Sequence, residues 1–104
     1  MVYVAYFAAG VFLANGIPHF TNGGSGRKFQ SPFAIPPGVG ESSPFSNVVW
    51  GLANLLLGYV LLFGVGEFEP GLSLDAAVLL AGFSLMSLFL AWYFDRVRNQ
   101  AVDR

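Results

Sequence analysis

The chain has 104 residues, 55% of them hydrophobic and 11% charged, with thirteen glycines, eleven phenylalanines, no cysteine and a formal net charge of −1. Soluble domains carry about a quarter charged residues, so this composition predicts an all-α integral membrane protein of one domain, and a mean hydropathy of +0.61 agrees. Near-neutral charge excludes nucleic acid as a partner, the lack of cysteine excludes thiolate chemistry, and a single histidine leaves too few ligands for a metal site within one chain.

A helix crossing a hydrocarbon core of roughly 30 Å needs about 20 apolar residues. Three segments qualify: Val2 to about Phe20, Asn47 to Val65, and Leu72 to Phe94. The first has no Lys or Arg ahead of its apolar run, unlike a signal peptide. Asn15 and His19 stand four residues apart near its end, where Gly16 and Pro18 weaken the helix and free the carbonyl of Ala14. Pro18 is expected to break the span there. Polar side chains at membrane depth face protein or a water cavity, so His19 is expected to turn inward and bond Asn47, Asn54 or a loop carbonyl.

Residues 21–46 form a loop rich in Gly, Pro and Ser, too long for a simple connection. Pro32, Pro36, Pro37 and Pro44 oppose helix through most of it, while Phe29, Phe33, Ile35, Val39 and Phe45 recur as in no mere linker. It is expected to be ordered, an extended strip along the inner membrane boundary, its backbone fitting over the Asn15–His19 region as a lid that Phe29, Phe33 and Phe45 pin down. Its opening run TNGGSGRK could cradle an anion in a nest of backbone N–H groups beside Arg27 and Lys28, although P-loop spacing is absent and cytoplasmic anchoring also explains the cations. Ser25, Ser31, Ser42 and Ser43 could approach His19, with Glu41 or Asp95 nearby; turn serines more often satisfy backbone groups, and no nucleophile–base–orienter set emerges.

On the second span Asn47, Gly51, Asn54 and Gly58 share a narrow arc at about 100° per residue, with Trp50 beside them. On the third, Ala77, Ala81, Ser84 and Ala91 do the same. Such stripes let helices pack closely, and Gly51, Gly58 and the third-span stripe are the expected contact positions; pore lining is the functional alternative. In the second connection Gly64, Gly66 and Pro70-Gly71 turn the chain, and Ser73 is the expected cap of the third helix, with Asp75 in its first turn.

Arg27 and Lys28 precede the second span, Arg96, Arg98 and Arg104 follow the third, and only Glu67 and Glu69 lie between. Lys and Arg are retained on the cytoplasmic side, which predicts an external N-terminus with the loop and the tail, residues 95–104, inside a plasma- or inner-type membrane. The sequence thus predicts a three-span subunit in a lipid bilayer, non-catalytic, in a homo-oligomer or larger membrane complex, with Asn15, His19, Asn47, Trp50 and Asn54 as a polar cluster. A homo-oligomeric channel, and a headgroup or haem binder or lipid-directed enzyme, are the alternatives. No cofactor is expected; haem bound by two histidines would need two chains.

Overall fold

A computed structural model describes residues 1–100; Arg104, one of the cations used to orient the chain, lies outside the described residues. Three long helices dominate: α1 (Val2–Gly24), α2 (Pro44–Phe63) and α3 (Leu74–Phe94), the last continuing into a π-helical turn, Asp95–Gln100. Each is long and apolar enough to cross a membrane, which marks the chain as a membrane protein.

Two boundaries differ from expectation. Pro18 does not end the first helix, which continues to Gly24. The hydroxyl of Thr21 donates to the Ile17 carbonyl at 2.7 Å and the amide of Asn22 to the Pro18 carbonyl at 2.8 Å, so polar side chains occupy backbone acceptors around the proline. These bonds hold the turn that follows the proline, downstream of the Ala14 carbonyl that Pro18 frees. The helix stops instead at a Schellman motif: Arg27 N–H donates to Asn22 O, Gly26 N–H to Gly23 O, and Gly26 takes φ +77°, where glycine is favoured. At the other boundary Pro44 opens α2 rather than opposing it. A proline at the first helical position gives up an N–H that would have no partner, and Ser43 caps the end by accepting from Ser46 N–H at 3.1 Å. The irregular loop is therefore shorter than 21–46.

α1 is the central helix. It packs on α2 and on α3, which scarcely touch each other. Glycines set these approaches: a Cβ on Gly51 would lie 2.6 Å from Phe20 N, one on Gly58 2.7 Å from Leu13, and one on Gly82 would strike the carbonyl of Phe7. Gly10 and Gly16 are the α1 counterparts, Gly10 against α3 and Gly16 against Leu55 and the Gly51 carbonyl. Gly16, read as a weak point of the first span, is thus a packing position. Ala77, Ala81, Ser84 and Ala91 do not lie in α3's contact with α1; all four are exposed, and Gly82 makes the close approach. Far from the loop, Tyr6, Ala9 and Leu62 form the apolar core, with Phe68 edge-on to Tyr6 at 5.3 Å. Ser73 caps α3 through Ala76 N–H, and Asp75 accepts from Glu69 N–H at 2.9 Å, giving both the structural roles their positions suggested.

Candidate functional site: a roofed polar cavity at the loop end of the bundle

The loop is no strip. It folds back as a hairpin in which Phe29–Gln30 pairs antiparallel with Glu41–Ser42, Phe29 opposite Ser42. Ser31 organises the turn: its carbonyl accepts from Gly38 N–H at 2.8 Å, and its hydroxyl accepts from Phe33 N–H and shares a hydrogen bond with Ser42. The end of α3 holds the hairpin down. Tyr93 donates to the Gly38 carbonyl at 2.8 Å; Arg98 donates to Gln30 at 2.8 Å, meets Glu41 at 3.3 Å and lies over the Phe29 ring.

Phe29 is buried at the helix ends, its ring 4.6 Å from Phe94 and 5.4 Å from His19. Two-residue strands are too short for alternation to show which ring turns inward. Phe33 and Phe45 are exposed, Phe33 standing edge-on to Trp50 at 5.1 Å.

Beneath the hairpin lies Asn47, fully buried. Its amide nitrogen approaches three carbonyls, those of Phe29, Ser42 and Ser43, at 3.0, 3.1 and 3.1 Å. Only an NH2 group can serve three acceptors, so the other atom is Oδ1, an acceptor. It stands 2.9 Å from His19 Nδ1, which must therefore carry a hydrogen. A neutral imidazole protonated at Nδ1 has a bare lone pair at Nε2, and Nε2 has no partner among the described residues.

The same reasoning applies one turn away. Asn54 donates its amide to the Trp50 carbonyl at 2.8 Å, leaving Asn54 Oδ1 to accept from Asn15 Nδ2 at 3.0 Å. Asn15 Oδ1 is then the acceptor that remains. Trp50 Nε1 is buried with no acceptor among the described residues.

Asn15, His19 and Trp50 line one cavity of about 360 Å3, while Asn47 and Asn54 stand behind them and fix their orientation. Gln30 and Ser31 roof it, and Met86, Phe89, Leu90 and Phe94 of α3 form an apolar wall. Gln30 is a residue the sequence reading missed; Ser31, named there among the serines that could approach His19, lines the same cavity. No side chain with a full positive or negative charge lines the cavity among the described residues.

Other candidates fall elsewhere. Arg27 and Lys28 are exposed outside the cavity, and the N–H groups of Ser25, Gly26 and Arg27 all bond α1 carbonyls, so they are not free to form the anion nest weighed against simple anchoring. Ser43 is spent on capping, Glu41 faces Arg98, and no serine bonds His19 among the described residues. Met86 reaches the same cavity as His19. The chain matches no family model, no curated protein and no solved structure.

Proposed function

We propose that the chain is a small integral membrane protein that works by binding rather than turnover, a non-catalytic module holding a roofed pocket at the cytoplasmic boundary of a plasma- or inner-type membrane. The observation that carries this reading is the cavity itself: apolar on one wall, with a few oriented polar groups on the others, and within the size range of ligand sites, about 300–1,000 Å3. The N-terminus is outside in this account, because Arg27, Lys28, Arg96 and Arg98 all belong to the loop end of the bundle. The exposed stripe of Ala77, Ala81, Ser84 and Ala91 supports a place in a homo-oligomer or larger membrane complex, since small residues facing outward permit a second helix to approach. The channel reading loses support, because Asn47 and Asn54 spend their amides inside the chain and are not left to line a pore between copies.

Native mass spectrometry of the full chain tests the proposal. The expected result is a small molecule retained at one per chain, and its loss in Met86→Trp, which fills the cavity without touching a polar contact. Wild-type protein that retains nothing and takes up no amphipathic probe would overturn it.

A further inference from the structure

Resting on that reading, the orientation of the polar groups narrows the ligand. We infer that the cavity takes a neutral, hydroxyl-bearing amphipath, its hydroxyl donating to His19 Nε2 beside Asn15 Oδ1 and its apolar body lying along α3.

Two acceptors face this ligand from α1, and both are consequences of hydrogen bonds behind them rather than of free rotation. Asn47 fixes His19 Nδ1–H, and Asn54 fixes Asn15 Nδ2. A carboxylate or phosphate would bring lone pairs against lone pairs with no cationic side chain in the lining, and an ammonium would be buried without a carboxylate. An ether or ketone could accept but could not donate. A hydroxyl does both, and its oxygen can also accept from a donor at the same cavity, the Gln30 amide, whose Oε1 is taken by Arg98. Met86, Phe89, Leu90 and Phe94 supply apolar contact for the rest of the molecule. Because α2 and α3 scarcely touch, that wall is reached from the side of the bundle, the direction from which a molecule dissolved in lipid would come.

The test uses the full chain in lipid nanodiscs with three probes of matched tail: para-octylphenol, its methyl ether and octyl phosphate. Nitrogen-15 labelling of histidine gives one imidazole to observe, since the chain has one histidine. The phenol is expected to bind saturably at one per chain and to move the Nε2 resonance, with the ether about tenfold weaker, the effect of one lost hydrogen bond. Octyl phosphate is expected not to compete. Equal affinity for phenol and ether, or phenol binding that leaves Nε2 unmoved, would overturn this inference while leaving a binding module in place. Tighter binding of octyl phosphate would overturn it in favour of an anionic headgroup site. Binding of none of the three, together with no retained molecule, would overturn the binding reading as a whole.

Discussion

Asn47 connects the hairpin, α1 and α2 through one side chain, so its removal should cost more than that of any other polar residue in the bundle. Asn47→Ala leaves the His19 Nδ1–H without its acceptor and takes a donor from the Phe29 and Ser42 carbonyls, while the Ser43 carbonyl keeps the backbone N–H of residue 47, and an unsatisfied buried group costs about 1–3 kcal/mol. A thermal-unfolding series should place Asn47→Ala below Asn54→Ala, which strands fewer groups. In double-mutant cycles His19 should couple with Asn47 and Asn15 with Asn54, by roughly 0.5–3 kcal/mol, because each pair shares a hydrogen bond. His19 and Asn54 share none, and their effects should add. Additivity for His19 with Asn47 would mean that the bond is not made.

The approach of α1 to α3 depends on Gly82 and Gly10, where a Cβ would meet backbone atoms that cannot rotate away. Gly82→Ala and Gly10→Ala should therefore destabilise the chain strongly, and Gly58→Ala less, since its nearest neighbour is the flexible end of Leu13. Gly24 meets nothing within 4 Å, so Gly24→Ala should be neutral or should stabilise by up to about 1 kcal/mol through helix propensity. An equal loss at all four positions would contradict the packing described. Asn47, Gly51, Asn54 and Gly58 could be read as one face because polar and small residues recur at helical spacing against an otherwise apolar span. Gly10 and Gly82 could not, because Gly10 is one of four glycines in α1 and Gly82, the one glycine of α3, has no second glycine at helical spacing to mark a face. Pro18 and Pro44 misled for a related reason. A proline's effect depends on its place in the helix and on what satisfies the backbone around it, and neither is visible in a residue count.

Viewed whole, the molecule places its most buried helix, α1, between two flanking helices and closes one end with a hairpin tied to the end of α3. Tyr93→Phe removes the bond to the Gly38 carbonyl and should cost about 0.5–1.5 kcal/mol, with faster amide exchange confined to the hairpin. Arg98→Ala should cost at least as much, because it removes the hydrogen bond to buried Gln30 and the contact over the Phe29 ring, whereas its partly exposed pairing with Glu41 contributes about 1 kcal/mol or less. In the proposed orientation, a cysteine at Ser25 should resist an impermeant thiol reagent on intact cells while one at Glu67 reacts, and the cysteine-free chain makes the labelling unambiguous. The reverse pattern would invert the molecule. The three spans and the depth shared by His19 and Asn47 were legible from apolar length and helical spacing. A loop lying over the cluster as a lid was also expected, but its hairpin form was not legible, because that geometry rests on single contacts between distant segments, Tyr93 with Gly38 and Arg98 with Gln30, that leave no periodic trace. The site turns on one ring, that of His19, held by Asn47 with its free lone pair available to the cavity. The nitrogen-15 spectrum of the lone histidine, recorded in nanodiscs at mildly alkaline pH, tests this most directly. A protonated Nδ1 with a bare Nε2 in slow exchange is the predicted result, and the opposite tautomer, or the averaged signal of an imidazole open to water, would contradict it.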